Sequence, residues 1–385
     1  MNILHIIPHF GAKAGGTATA VRLLATNQMM RGADVTILTL STGGKTWTDL
    51  DKIQIVEQPG HLNYGYSVQM AKWLEKNAKK FDVGIIHGLW QYPGWIAART
   101  LKKANIPYIV YPHGMSDIYF KQHHPFKHLK KAVYWNLIEH SILENADTVI
   151  YTAEEEKRRA TFISTTRAGI IPLGIPAPPS EKEAPIDLAL EQWPQLKEKK
   201  IVLFFGRLHP KKGVDVLLKA FAEILKNKKE WLLVFAGPNA QKTQELLYSL
   251  AKKCDIENKV VFTGLLEGNF KWSILRLANV FVLPSHQENF GFAVVEALAV
   301  GCPVIISNQV NIWKEIADQK AGIVCAPTLE ELSLALKHWN SFNDEEISSF
   351  KKRALTCTQF NLSSNSEKLW NLLQEITASS EPALK

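Results

Sequence analysis

The sequence predicts an α/β protein made of two Rossmann-like, doubly wound parallel-sheet domains in tandem. Three observations lead there. Short apolar runs alternate with longer amphipathic stretches, the pattern of βαβ units and so of a parallel sheet with helices on both faces. The alternation stops once, between Pro172 and Pro194, and then resumes. The chain has 385 residues, which suits two cores of ordinary domain size.

Taken in order, Ile3–Ile7 reads as a strand, residues 8–16 as a loop, and Thr17–Met30 as a helix that stops near Gly32. Strands follow at Val35–Leu40 and Ile53–Val56, then a helix at Val68–Ala78 and a strand at Val83–His87. A helix from Pro93 to Ala104 leads to strand Tyr108–Tyr111, and a long helix from Phe126 to Leu143 leads to strand Thr148–Tyr151. Pro172, Pro176, Pro178, Pro179, Pro185 and Pro194 then break the pattern, so 176–198 is expected to be a linker between domains 1–175 and 199–360. The second series runs through strand Ile201–Phe205, helix Val214–Leu225, strand Leu232–Ala236, helix Ala240–Lys253 and strand Val260–Phe262. It continues with helix Phe270–Ala278, strand Val280–Leu283, a helix after Glu288, and strands Val304–Ile306 and Ile323–Cys325. Helices close the chain, the last about Asn361–Ile376 with Leu369, Trp370, Leu373 and Ile376 as its apolar stripe. Two such domains imply a cleft at the carboxyl ends of both sheets.

Composition excludes several classes. With 46% hydrophobic and 21% charged residues and no low-complexity tract, the chain is globular. The start, Met1-Asn2-Ile3-Leu4-His5, lacks a basic segment and a long apolar one, so it reads as a strand and not a signal peptide. No run of about 18 uncharged apolar residues occurs. Cys254, Cys302, Cys325 and Cys357 are widely spaced and read as reduced core residues of a cytoplasmic protein. A net charge of +8 suits anionic partners: a nucleotide diphosphate, anionic lipid or nucleic acid.

The stretch Ser285–Ala297 carries most of the chemistry. It follows the apolar run Val280–Pro284 and is expected to open a helix with Asn289 as N-cap. Glu288 and Glu296 bracket that helix start. Eight helical residues rise ~12 Å and turn about 80° from alignment, so both acids would lie on one side. Free amides between them favour an anion, and Gly291 allows close backbone approach. A ligand with two hydroxyl-rich ends and a charged middle fits this layout, and a nucleotide-sugar has that form.

Glu288-x7-Glu296, with Phe290-Gly291 after the first acid and Gly301-Cys302-Pro303 beyond, resembles the signature of retaining GT-B glycosyltransferases of family 4, also called group 1. The likeness covers nearly the whole chain and is densest from Arg207 to Pro303. It implies a GT-B fold, with the helix at 361–385 completing the N-terminal, acceptor-binding domain. It also implies that Glu288 meets the donor sugar, Glu296 the ribose, and Arg207 and Lys212 the phosphates.

Arg207 and Lys212 lie in Gly206-Arg207-Leu208-His209-Pro210-Lys211-Lys212-Gly213, after the first strand of the second domain, where cations can neutralise a pyrophosphate. Lys211 reads as their solvated neighbour. Gly11-x-x-x-Gly15-Gly16 stands between the first strand and helix. It is either a flexible loop or a place where backbone approaches a phosphate, and the resemblance puts Gly15 and Gly16 beside the donor phosphates. It is not a dinucleotide fingerprint, because the G-x-G-x-x-G spacing is absent. His113, after a strand and beside Gly114, matches the family position that hydrogen-bonds the donor sugar. His87-Gly88 is a similar pair, ranked second as an acceptor-side or structural residue. Asp49-Leu50-Asp51 is a D-x-D triplet in a polar loop and reads as surface. Lys121–Lys131 is basic and aromatic, either an exposed helix face or a contact for anionic lipid.

The expected function is retaining transfer of a hexose from a nucleotide diphosphate sugar to an acceptor hydroxyl. UDP-glucose is the first expectation and GDP-mannose the second. The acceptor would be a lipid-linked saccharide in cell-surface polysaccharide synthesis. No cofactor and no metal are expected, because Arg207, Lys212 and the helix amides already offer positive charge, and no nucleic acid is expected as partner. The expected location is cytoplasmic, with attachment to the inner face of the plasma membrane left open. Base contacts are expected from the loops after Ala236 and Phe262. Two alternatives stand: a nucleotide-sugar epimerase on the same plan, which needs an acid–base pair not evident here, and a non-catalytic membrane-binding module using the net charge.

Overall fold

The structure is a computed structural model that describes residues 1–11, 14–41, 50, 52–61, 64–117, 134–160 and 167–380. The chain divides into two compact units, Met1–Gly174 with Asn361–Lys385, and Ile175–Phe360. The D-x-D residues Asp49 and Asp51 and the basic stretch Lys121–Lys131 lie outside the described residues.

In the first unit, β1 (Asn2–His9), α1 (Gly16–Met30), β2 (Asp34–Leu40), β3 (Gln54–Gln58), α2 (Val68–Asn77), β4 (Val83–His87), α3 (Tyr92–Lys103) and β5 (Tyr108–Tyr111) follow one another. A π-helical turn, Trp135–Glu139, runs into α4 (His140–Glu144); then come β6 (Thr148–Tyr151), α5 (Glu154–Arg159) and β7 (Ala168–Ile170). The strands form a seven-stranded sheet in the order β3-β2-β1-β4-β5-β6-β7, and every pairing is parallel. Chain direction across the sheet reverses between β1 and β4, where His5 sits opposite Ile85. Ile3, Leu4, Ile6, Val83, Ile85, Ile109 and Val110 are buried because helices cover both faces. Each such side chain stabilises the fold by about 1.5–3 kcal/mol relative to exposure. Ser67 Oγ accepts from the Met70 amide at 3.1 Å and so caps α2.

In the second unit the order is α6 (Asp187–Gln192), β8 (Lys200–Phe205), α7 (Val214–Leu225), β9 (Trp231–Ala236), α8 (Thr243–Lys253), β10 (Val260–Gly264), α9 (Gly268–Leu277) and β11 (Val280–Leu283). Next come α10 (Phe292–Ala299), β12 (Val304–Ser307), α11 (Trp313–Asp318), β13 (Gly322–Cys325), α12 (Leu329–Ser341) and α13 (Asp344–Leu355). The sheet order is β10-β9-β8-β11-β12-β13, again all parallel, with the reversal between β8 and β11. Leu217, Leu218 and Phe221 form the buried stripe of α7. Phe221→Ala would cost about 3–5 kcal/mol through the cavity it leaves.

The stretch 176–198 is not a plain linker. It belongs to the second unit and carries α6 and a 3₁₀ turn at Pro194–Leu196. Ala184, Ala189 and Leu196 are fully buried, and the Ala189 amide donates to Ser273 Oγ at 3.0 Å. The prolines end elements here without preventing them: Pro194 takes the first position of its turn, where no amide is needed. The chain returns to the first unit in α14 (Leu362–Ser380), which packs on α1. At this crossing the Ile175 amide donates to the Phe360 carbonyl at 3.1 Å, and Gly174 lies so close to Leu362 that a Cβ would stand 2.5 Å from its nitrogen. Among the described residues, no helix is long and apolar enough to cross a membrane.

Candidate functional site

In the second unit, two loops leave the carboxyl ends of β8 and β11 side by side. The first, Gly206–Gly213, is stitched to its neighbours by backbone bonds. The Gly206 amide donates to Ala236 at 2.8 Å, Leu208 to Pro238 at 3.0 Å, and the His286 amide donates to Lys211 at 2.9 Å. Pro210–Lys212 make one 3₁₀ turn, capped by His209 Nδ1, which accepts from the Lys211 amide at 3.0 Å. Gly213 then opens α7 at φ 67°, and a Cβ there would lie 2.2 Å from the Pro284 carbonyl oxygen. Only glycine lets the two loops lie this close.

This packing brings Lys212 and Glu288 into a direct ion pair, with side chains 26% and 19% exposed. Burial, and then the cations of Lys211 and Arg207, push the Lys212 amine down to about 8. The Glu288 carboxylate against the same amine pulls the other way. Arg207 is exposed at the mouth of the loop.

The expected helix start needs correction. The helix begins at Phe292, with Gly291 as N-cap at φ 74°, ψ 60°. Asn289 does not cap it: its Oδ1 accepts from Asn311 Nδ2 at 3.0 Å. Glu288 lies ahead of the helix, bridged to Val310. Its amide donates to Gln309 at 3.0 Å and its carbonyl accepts from the Asn311 amide at 3.1 Å. The two acids are therefore held by different elements, and helical rise and rotation do not set their spacing. A left-handed Gly291 cannot continue a helix backwards, and the capping side chain is drawn away by a tertiary partner. The left-handed conformation calls for this glycine, and a Cβ would also crowd Val294 and Val310 at 3.3 Å. Phe290 is buried edge-on against Phe292 and Phe360, leaving its main chain for any ligand. No side chain caps α10, so its first-turn amides keep their pull on an anion.

Glu296, on α10, has its own partner. Lys271 Nζ lies 2.8 Å from its Oε1 and also 4.3 Å above the Trp272 ring. Lys271 was not singled out from sequence, because a lysine on an amphipathic helix reads as solvated surface. Nearby in the chain, a cavity of about 240 Å³ opens beside Thr263–Glu267, lined also by Trp193 and Phe270.

In the first unit, Gly15 (φ 84°) precedes α1 and Gly16 begins it, with no side-chain cap. His113 follows β5 at φ 51°, and Gly114 at φ 72° completes the turn. Glu156 clamps it: Oε1 accepts from the Gly114 amide at 2.5 Å, and Oε2 accepts from the amide and hydroxyl of Thr152, both at 2.6 Å. His113 Nε2 lies 2.9 Å from His87 Nδ1, His87 Nε2 lies 2.9 Å from His5 Nδ1, and His5 Nε2 lies 2.7 Å from Gln28 Oε1. Successive rings stack at 5.2 Å. Burial pushes His5 down to about 4 and His113 down to about 3, and holds His87 well below the usual imidazole range. His87, read as acceptor-side or structural, is thus the middle of a row. His5, Gln28 and Glu156 were missed; the signal available was a polar residue inside the apolar strand Ile3–Ile7.

Among the described residues, no group of three or more His, Cys, Asp or Glu side chains could hold a metal ion. All four cysteines are free.

Residues 186–354 match the family model of glycosyl transferases group 1, and residues 14–177 match that of glycosyltransferase family 4. The chain belongs to the group 1 glycosyltransferases. Among curated relatives, an uncharacterised glycosyltransferase of Methanocaldococcus jannaschii is 32% identical over 131 residues, 34% of this chain and 33% of the relative. Glycogen synthase of Mycobacterium tuberculosis is 32% identical over 126 residues, 33% of this chain and 30% of the relative. The chain thus spans about a third of the length of these relatives. Sucrose-phosphate synthase of Thermosynechococcus elongatus shares the fold with a TM-score of 0.80 at 20% identity, covering 98% of this chain and 100% of that one. Anabaena HepE, solved with UDP and glucose, has a TM-score of 0.78 at 18% identity, covering 97% and 100%. The architecture of this group 1 member is GT-B, built from two Rossmann-like parallel-sheet units.

Proposed function

We propose that the protein is a retaining glycosyltransferase that moves a hexose from a nucleotide diphosphate sugar to an acceptor hydroxyl. One observation carries this reading: the contact of Lys212 with Glu288, made where the loops after β8 and β11 meet. Holding an ammonium and a carboxylate together in a largely buried place costs desolvation that their mutual attraction alone need not offset. Side by side they suit a ligand that is anionic on one side and hydroxylated on the other. Lys212 and Arg207 are assigned to the diphosphate, with the amides of Phe290, Gly291 and the start of α10 beside them. As the bond to the sugar breaks, charge grows on the departing phosphate, and these fixed cations and dipoles stabilise it. A metal ion is then not required for that charge. Glu288 and Asn289 are assigned to the sugar hydroxyls, Glu296 to the ribose, and Gly15 and Gly16 to the phosphates. His113 is assigned to the sugar beside the reacting carbon, and the first unit to the acceptor.

UDP-glucose is the donor proposed first, in line with HepE being solved with UDP and glucose, and GDP-mannose comes second. The base would sit among the loops after β9 and β10, where Trp193 and Phe270 offer apolar surface. The acceptor proposed is a lipid-linked saccharide. Retention would follow from attack on the same face, the leaving phosphate taking the acceptor's proton. The test is release of free nucleoside diphosphate from a panel of nucleotide-sugars in the presence of EDTA, with an acceptor saccharide. Release that needs no metal, and a product with the donor's anomeric configuration, support the proposal. Sugar isomers without nucleotide release would show an epimerase instead.

A further inference from the structure

A neutral imidazole has one N–H and one bare nitrogen, so a row of imidazoles has a direction. Here the row spans three neighbouring strands or their ends, β1, β4 and β5, and it starts at Gln28 on α1. Gln28 presents its carbonyl oxygen to His5 Nε2 at 2.7 Å, so that nitrogen carries the hydrogen and His5 Nδ1 is bare. His5 Nδ1 then accepts from His87 Nε2 at 2.9 Å, which leaves His87 Nδ1 bare. His87 Nδ1 in turn accepts from His113 Nε2 at 2.9 Å. The hydrogen of His113 is thereby used inside the row, and its Nδ1 is a lone pair with no partner among the described residues. A protonated ring anywhere in the row would break this order, and burial holds all three rings neutral.

We propose that Gln28 is a positioning residue which, through His5 and His87, holds His113 in the tautomer whose free nitrogen accepts a hydrogen bond from a sugar hydroxyl and cannot donate one. The proposal rests on the assignment of His113 to the donor sugar, and it adds a selection rule. A hydroxyl, which can donate, is bound; a fluoro or keto group at the same place, which can only accept, is not. If the Gln28 amide were turned over, its NH₂ would donate to His5 and all three rings would reverse, so the side-chain amide alone sets the outcome.

The experiment is nitrogen NMR on the full-length chain carrying ¹⁵N-histidine, without ligand. Rings are assigned by single His→Phe substitutions. The expected spectrum has a pyridine-like Nδ1 and a pyrrole-like Nε2 at His5, His87 and His113. Gln28→Met removes the fixing oxygen at similar volume, and His113 should then show averaged shifts at both nitrogens. His5→Phe keeps the stack and cuts the row, giving the same result should Gln28→Met not fold. In the transfer assay Gln28→Met should lower kcat about tenfold with donor KM within about twofold, because the hydrogen bond matters most where charge develops. A pyrrole-like Nδ1 at His113 in the wild type, or unchanged His113 shifts in both variants, overturns the proposal. The spectra need no turnover, so failure of the transferase reading and failure of the tautomer assignment are seen separately.

Discussion

Two sheets of one topology meet their chemistry in opposite ways. At the end of the first sheet the polar groups are neutral, buried and hydrogen-bonded in a line: Gln28, His5, His87 and His113. At the end of the second they are charged, partly buried and paired: Lys212 with Glu288 and Lys271 with Glu296. The strand order and the place of reversal are shared, so topology supplies a location and not a chemistry. A neutral row transmits direction, because each ring decides the next. An ion pair transmits nothing and is open to competition from a ligand with its own charge. The second sheet is thus built to exchange partners and the first to keep them.

The sharpest break in that contrast is Lys212→Ala. It should lower turnover about 10²–10³-fold, as for loss of a fixed transition-state donor. Nucleoside diphosphate release reads this, and the melting temperature should fall as well, because Glu288, only 19% exposed, is left without its partner. Gly213→Ala should instead cost stability, at least about 2 kcal/mol by urea unfolding, because the new Cβ meets the Pro284 carbonyl at a left-handed φ.

Acid should separate the two ends. In the unfolded chain His5 and His113 take up protons below their ordinary 6.5, whereas the folded chain refuses them until about 4 and about 3. Stability therefore falls as pH drops from about 6.5 towards 4, by up to about 1.4 kcal/mol per pH unit for each histidine. Chemical denaturation across that range reads the slope, and His5→Phe with His113→Phe should make it shallower, leaving the share of His87. Base should act at the other end. Burial lowers the Lys212 amine from its ordinary value to about 8, and loss of its charge as pH rises through that range should weaken donor affinity, by up to about tenfold per unit. Titration calorimetry against UDP at pH 7 and 9 checks this. The smallest effect is expected from Lys271→Ala, which frees Glu296: donor KM should rise about three- to tenfold with kcat little changed.

The sequence revealed strands more surely than caps. Val83–His87, Tyr108–Tyr111, Thr148–Tyr151 and Val280–Leu283 were legible to the residue, because a strand covered on both faces is an unbroken apolar run. Ala168–Ile170 was not, since an edge strand of three half-buried residues leaves too little pattern. The start of the helix at Phe292 was misread because Asn289 has capping chemistry, and only the fold shows that Asn311 claims it. Nothing local marks Lys271 or Gln28 either; their partners lie 25 and 23 positions away in sequence. Lys212 and Glu288 were read as two motifs serving one ligand, not as partners; their touching is a matter of Gly213 and Pro284, which no spacing rule contains.

The crossing at Gly174–Ile175 and Phe360–Asn361 makes the second unit an insertion within the first. During synthesis the first 174 residues emerge without the helix that covers α1, and Ile175–Phe360 is finished before it. The usual order, with the N-terminal unit complete first, is thereby reversed. A nascent chain stalled at Phe360 should carry a protease-resistant second half and a first half still open to cleavage beside α1.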